Sequence, residues 1–313
     1  MLHFATAGVP ITSKKRDTLT GIARIKELGL DSMEMEFVQG VKMSEESAKE
    51  VKKASEENGV DLTIHGPYYI NLATKEPDKL RASYRHILSS AHIGSLAGAK
   101  SITFHPAFIQ TNTRSEVSDR VKKAMIDILK ECKEKEYDIR ISPELTGKES
   151  QFGRLEELVT LCKEVPDLHF CYDFAHNYAR SVGKNNTEKE LDHSLKYIRN
   201  ELGQEFLNNM HLHISNIEYS EKGERHHLPF LKDVSDYVKI GVIERTGNKE
   251  FLENYLKEFY KGDKKIWNDR FDYKMILRKL KEYGVSGYLV CESPIMEFDA
   301  ILIQNYLNTI DFK

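Results

Sequence analysis

The segment DLTIHGPYYINLA, residues 61–73, begins with a short apolar run that ends on His65. Gly66 and Pro67 follow directly and stop the run. Similar β-like runs that end on an imidazole or a carboxylate recur along the chain. They are ITFH, IRISPE, LHFCYD, MHLH and YLVCE, which end at His105, Glu144, Asp173, His213 and Glu292. Imidazole suits zinc, and carboxylates can bridge two ions. The pattern therefore predicts metal ligands at the ends of buried strands.

Eight strand candidates alternate with charged stretches of helical periodicity. They lie at residues 2–6, 32–37, 61–65, 100–105, 138–144, 168–173, 209–215 and 287–292. Strands that alternate with helices form a parallel sheet, so eight such units predict an α/β fold, a (β/α)8 TIM barrel, as a single domain over residues 1–313. A doubly wound open sheet is the alternative. We favour the barrel because its sites lie at the C-terminal ends of many strands, whereas an open sheet gathers its ligands at one switch point.

Residues 230–286 are more than one loop and one helix require, and they include the run EFLENYLKEFYKGDKKIWNDRFDY. This length predicts a helical insertion before strand eight. Long segments of this kind often cover a site, so a lid or a partner surface is one interpretation. A solvated helical excursion is the other.

The composition bounds the class of protein. Lys and Arg total 46 against 49 Asp and Glu, so the chain has no global basic field to attract nucleic acid, and any site for a polyanion must be local. No apolar run approaches the roughly 20 residues that span a bilayer, and no signal peptide is evident. The four cysteines form no CxxC pair. We expect a soluble cytoplasmic protein with reduced thiols and no membrane partner.

Several further residues are candidates for the site. Asp173 and His176 lie three residues apart where a strand ends, so both can point into one pocket. His211 and His213 share one face of strand seven, and His213 is nearer the rim. In the loop ERHHLP, residues 224–229, two adjacent histidines cannot easily face one ion, and we favour His227. Glu36 ends strand two and either contacts substrate or neutralises an interior base.

Together these residues resemble the endonuclease IV family of metal-dependent apurinic/apyrimidinic endonucleases, within the xylose isomerase-like TIM-barrel superfamily. The resemblance covers roughly residues 60–294 and is most specific at HGPYYINLA, which is similar to the family segment with a histidine ligand and a DNA-facing tyrosine, here Tyr68. It implies two or three Zn²⁺ ions, with Mn²⁺ or Mg²⁺ as alternatives. One ion would be held by His65, His105 and Glu144, and a second by Glu144, Asp173, His213 and Glu292.

By the same resemblance, a third ion uses His176 and an Asp-x-His pair after strand seven. His227 matches the histidine of that pair, which leaves Arg225 in the place of the aspartate. A register shifted by one residue would instead offer Glu224 and His226.

The resemblance implies a phosphodiesterase that acts at abasic sites in DNA, with Glu144 and Glu292 as catalytic residues. Tyr68 would pack against the lesion, and Glu36 and Arg225 are the other candidates for substrate contact. A sugar isomerase or epimerase is the alternative, in which one ion binds and the two glutamates exchange protons at carbon. His65 and His105 discriminate between the two enzymes, because a one-ion reaction does not need them. A barrel that binds metal without catalysis is the third possibility.

Overall fold

The computed structural model describes residues 1–261 and 268–310, which form an eight-stranded parallel sheet and two short antiparallel ribbons. The strands are β1 (Leu2–Ala7), β2 (Ser32–Glu36), β3 (Asp61–His65), β4 (Ser101–Phe104), β5 (Ala107–Phe108), β6 (Arg140–Pro143), β7 (Gln151–Phe152), β8 (Cys171–Asp173), β9 (Met210–Ile214), β10 (Asn216–Ser220), β11 (Gly223–Leu228) and β12 (Gly287–Cys291).

The helices lie between these strands. They are α1 (Thr18–Leu28), α2 (Glu45–Asn58), α3 (Pro77–Leu96), α4 (Arg114–Glu134), α5 (Leu155–Glu164), α6 (Phe174–Arg180), α7 (Glu188–Leu202), α8 (Gln204–Leu207), α9 (Val234–Lys239), α10 (Val242–Thr246), α11 (Lys249–Phe259), α12 (Tyr273–Glu282) and α13 (Glu297–Thr309).

The strand order is β6-β4-β3-β2-β1-β12-β9-β8, and a parallel bridge between Glu144 and Cys171 joins the two edge strands. The sheet thus curls into a barrel, which confirms the predicted TIM barrel and rules out the open sheet. β5 pairs with β7, and β10 pairs with β11, as ribbons above the barrel strands. The eight barrel strands fall at the predicted positions.

Local sequence signals set the helix boundaries. The Asp17 side chain accepts a hydrogen bond from the Thr20 N–H at the start of α1, and that helix ends at Gly29 with φ of 64°. At the start of α2 the Ser44 side chain accepts a hydrogen bond from the Ser47 N–H, and the helix ends at Gly59 with φ of 62°. These caps stop each helix where the chain must turn back into the barrel.

The register of the parallel strands brings the polar residues to one rim. Glu36 is paired with His65 on β3, and Asp173 is paired with His213 on β9. All barrel strands run in the same direction, so their carboxyl ends meet at this rim.

A polar network fills the barrel interior beneath the rim. The Glu34 carboxylate contacts His211 Nε2 at 2.9 Å and accepts a hydrogen bond from the Thr63 hydroxyl. His211 Nδ1 lies 3.0 Å from the Ser101 hydroxyl, which in turn bonds Ser142. All of these side chains are buried, so the network fixes the position of His211 below the site.

The segment predicted as an insertion contains α9, α10 and α11, whereas α12 is the barrel helix between β9 and β12, and α13 follows β12 as the helix of the last unit. Arg245 of α10 donates to the Leu28 carbonyl at the end of α1 and to Asn305 of α13. The helices therefore dock on the outer helix layer, and residues 262–267 of the segment lie outside the described residues. A role as lid stays a prediction.

Cys132, Cys162, Cys171 and Cys291 form no disulfide. None of the described helices has the length and apolar character that crossing a bilayer requires.

We predict that Gly287→Ala destabilises the barrel by about 3 kcal/mol or more, because a Cβ would overlap the Met210 carbonyl oxygen at a backbone φ of 116°. Gly59→Ala is the matched control, since its φ is also positive but no atom lies within 4 Å of the added carbon. It should cost only about 1 kcal/mol. Urea unfolding of both variants measures the difference, and equal losses would contradict the close packing of β9 and β12.

Candidate metal centre

Glu144 lies at the centre of the rim, directly after β6, with a fully buried side chain. Four imidazole nitrogens surround its carboxylate. They are His65 Nε2 at 3.4 Å, His105 Nε2 at 3.5 Å, His176 Nδ1 at 2.9 Å and His213 Nδ1 at 3.6 Å. One carboxylate is therefore shared by histidines from four different segments of the chain.

Among the described residues, three adjoining groups of potential ligand atoms that include a carboxylate lie at this rim. Within each group the atoms lie within 4.8 Å of one another. The groups are His65, His105 and Glu144; Glu144, Asp173, His213 and Glu292; and His176, Glu224 and His227. The first two are the sets that the resemblance implied, and Glu144 belongs to both.

Protein oxygens fix the orientation of most of these rings. The Nδ1 atoms of His65, His176 and His227 lie 2.8, 3.0 and 2.6 Å from Gly66 O, Leu145 O and the Ser215 hydroxyl. Each contact leaves Nε2 available as a ligand atom. His213 is reversed, because its Nε2 lies 3.1 Å from Glu34 Oε1 and its Nδ1 faces Glu292 and Glu144.

Asp173 and His176 are joined by the start of α6. The Asp173 carboxylate accepts a hydrogen bond from the His176 N–H at 2.8 Å, which caps the helix. This turn also brings the His176 ring back to within 3.0 Å of the other Asp173 oxygen. The spacing of three residues therefore places both side chains in one pocket, as the sequence predicted.

A β-bulge in β11 determines the third group. Tyr219 pairs with Glu224, and Glu218 pairs with His226, so Arg225 is the extra residue between them. The bulge lets Glu224 and His227, three residues apart, face the same side of the ribbon. The structure therefore brings together Glu224, which the shifted register offered, and His227, which the unshifted register offered.

Arg225 is not brought to the cluster. Its side chain is exposed and forms an ion pair with Glu218 Oε1 at 3.1 Å. His226 is exposed as well, whereas the His227 ring lies 5.6 Å from the His176 ring. Glu224, which the sequence offered only as a partner of His226, is turned by the bulge to the side of His227.

The two other candidates for substrate contact lie at the mouth. Tyr68 is 56% exposed, and its ring centre is 5.4 Å from that of His65. Glu36 is exposed at the end of β2, beside His65 on the neighbouring strand. Both side chains lie next to the ligand group of His65, His105 and Glu144.

Several buried atoms of the cluster have no hydrogen-bond partner among the described residues. They are both oxygens of Glu144, Asp173 Oδ2, His213 Nδ1, Glu224 Oε2 and Glu292 Oε2. Buried ionisable groups that lack hydrogen bonds are costly unless they are paired with charges or bind a metal. Mixed imidazole and carboxylate donors are a zinc-type set, so these residues fit divalent ions.

The charges of the cluster are strongly coupled. Burial opposes ionisation of Glu144, but contacts with His105 and His213 outweigh it and hold its pKa well below the usual range. Burial likewise opposes the protonation of His65, yet contact with Glu144 raises its pKa to about 10. Metal binding must therefore displace protons from these imidazoles, and it becomes stronger as the pH rises.

The model of the xylose isomerase-like TIM barrel family matches residues 22–252. The chain belongs to this family.

Two relatives of this xylose isomerase-like barrel differ in how much of it they cover. An uncharacterised protein of Methanocaldococcus jannaschii is 33% identical over 99% of the chain and 98% of its own length. The probable endonuclease 4 of Mycoplasma genitalium is 26% identical over 56% of the chain and 60% of its own length. The second match thus spans little more than half of each protein.

Two solved structures share the fold of this xylose isomerase-like barrel. Endonuclease IV from Thermus thermophilus superposes with a TM-score of 0.65 at 16% identity, over 98% of this chain and 100% of that one. A D-tagatose 3-epimerase-like protein has a TM-score of 0.65 at 17% identity, over 98% and 96%. Because the two scores are equal, the fold does not separate a nuclease from an epimerase.

We predict that His176, Glu224 and His227 bind a divalent ion and that Glu224→Gln abolishes this binding, because the neutral amide no longer balances the charge of the ion. Arg225→Ala should leave the metal content unchanged, since Arg225 pairs with Glu218 outside the cluster. Equilibrium dialysis with Zn²⁺, followed by elemental analysis, measures both variants. Loss of metal from Arg225→Ala would contradict the bulge register.

Proposed function

We propose that this protein is a metal-dependent phosphodiesterase of the endonuclease IV type, which acts at abasic sites in DNA and uses two or three zinc ions. The observation that carries the proposal is the buried Glu144 carboxylate, whose contacts include four histidines and which joins adjoining ligand groups. A carboxylate shared in this way is the arrangement that a site with more than one ion requires.

The histidines favour the nuclease over a one-ion enzyme. Glu144, Asp173, His213 and Glu292 alone make a complete four-ligand group. The other histidines of the cluster, His65, His105, His176 and His227, would be unnecessary for a reaction at one ion. Their imidazoles gather against Glu144 or Glu224, where they can hold further ions.

When bound, divalent ions would lower the pKa of a bound water to about 7, which activates it near neutral pH, and they would neutralise the phosphoryl charge. The chain contributes the geometry for this chemistry. Glu144 sets the spacing of the ligand groups, and Glu34 holds His213 with Nδ1 toward the rim. Glu292 is the more exposed of the two proposed catalytic carboxylates, at 15% against 0% for Glu144. Its pKa lies well below the usual range despite burial, because His213 stabilises its charge, so the carboxylate is ionised and available to a divalent ion.

Two exposed aromatic side chains support a nucleic-acid substrate. Tyr68 and Tyr69 are 56% and 67% exposed, next to each other after β3. Aromatic faces stack on bases at roughly 1–3 kcal/mol each, without a need for a particular sequence. Tyr68 lies beside His65, so a nucleotide stacked on it would have its phosphate close to the cluster.

A sugar epimerase is the second candidate. The observation that favours it is the four-ligand group in which Glu144 and Glu292 are both present, since two carboxylates on one ion can exchange protons at carbon. The near-neutral charge of the chain, with a formal value of −3, also suits a small uncharged substrate.

His65→Ala separates the two functions. If the protein is a nuclease, we predict that the rate of cleavage of a duplex with one abasic site falls by more than roughly 100-fold. Loss of a metal ligand should cost more than loss of a residue that only supports a ligand, which costs up to roughly 100-fold. If it is an epimerase, interconversion of ketoses should survive, because His65 is not part of the four-ligand group.

Glu144→Gln is the companion variant and should abolish either activity. Gel analysis of abasic DNA and chromatography of a ketose panel are the two assays. Epimerisation by both the wild type and His65→Ala, without DNA cleavage by either, would refute the nuclease proposal.

A further inference from the structure

Asp299, in the first turn of α13, is fully buried and is not one of the potential metal ligands. Three groups donate hydrogen bonds to its carboxylate. The Ser293 hydroxyl and the Phe230 N–H bond to Oδ2, the latter at 3.0 Å, and the Tyr237 hydroxyl bonds to Oδ1 at 2.7 Å. All three donor residues are buried. The Asp299 carboxylate therefore connects Ser293, Phe230 and Tyr237 through hydrogen bonds.

The donors come from three segments with different roles. Ser293 directly follows Glu292, and Phe230 lies three residues after His227. Tyr237 belongs to α9, the first helix of the insertion. Asp299 thus links two segments that carry proposed ligands to each other and to the inserted helices.

The insertion is itself held firmly at this point. The Leu231 N–H lies 3.2 Å from the Tyr237 oxygen, so that oxygen is fixed from two sides. The Phe251 ring of α11 stacks on Phe298, next to Asp299, with ring centres 6.0 Å apart and planes within 8°. Packing and hydrogen bonds together place α9 and α11 against the start of α13.

We propose that Asp299 is a positioning residue for the metal centre, and that the inserted helices support Glu292 and His227 through it. This inference rests on the proposed metal centre. Ligand geometry must be kept to within about 0.5 Å for tight binding, and loss of an outer partner typically weakens metal affinity roughly 10–100-fold. The His65 and His105 group is connected to none of the three donors, so it should be insensitive to Asp299.

The chemistry of the carboxylate selects the variants. Asp299→Ala removes the acceptors of all three donors. Asp299→Asn keeps the connection, because its amide oxygen can accept from Ser293 and Phe230 while its NH₂ donates to the Tyr237 oxygen. Tyr237→Phe removes only the link to the insertion. Tyr273→Phe is the matched control, since the Tyr273 hydroxyl is buried without a hydrogen-bond partner among the described residues.

The test is titration of each metal-free variant with Co²⁺, followed by its visible absorption, together with competition by a chelator. We expect Asp299→Ala and Tyr237→Phe to bind at least one ion roughly 10–100-fold more weakly, with the remaining ion unchanged. Asp299→Asn and Tyr273→Phe should match the wild type. If Asp299→Ala does not fold, Tyr237→Phe and Ser293→Ala carry the test.

The outcomes separate this inference from the proposed function. If Tyr237→Phe binds metal as tightly as the wild type, the proposed role of Asp299 is wrong. It is also wrong if Tyr273→Phe lowers the metal affinity as much as Tyr237→Phe does. In both cases the metal centre itself stands. A wild type that binds no Co²⁺ or Zn²⁺ overturns the metal centre and this role together.

Discussion

The contact between the buried Glu144 carboxylate and its four surrounding histidines is the interaction on which the site depends. A carboxylate without hydrogen-bond donors is costly inside a protein, and the surrounding imidazoles offset that cost only if they are held close. The barrel meets this condition because parallel strands deliver their last residues to the same rim. The fold and the site are therefore one arrangement, in which strand register sets ligand spacing.

Support for the rim comes from two directions. Beneath it, Glu34 connects His211 and His213 to the hydroxyls of the barrel interior. Beside it, the first turn of α13 carries two buried acids that bind backbone N–H groups of neighbouring loops. Glu297 accepts from Ile11 and Thr12, and Asp299 accepts from Phe230. Acids at a helix start are also favoured by the helix dipole, so α13 organises loops on both of its sides.

The sequence predicted the barrel strands and most of the rim, because strand ends are local signals. Apolar runs that stop at Gly66 or Pro106 mark where a strand ends, and parallel register then brings those ends together. The hairpin after β9 was different. Its bulge at Arg225 depends on pairing with β10, so no pattern within residues 224–229 reveals that Glu224 turns inward. Asp299 was missed for a related reason, since its donors lie as far as 69 residues away in the chain.

The metal content of the purified protein, determined by elemental analysis per chain, tests the central claim most directly. A rim built around a shared Glu144 predicts two or three zinc ions per chain, bound tightly enough to survive gel filtration. A single ion at saturating zinc, or none, would contradict the shared site and would leave the histidines around Glu144 without the role assigned to them.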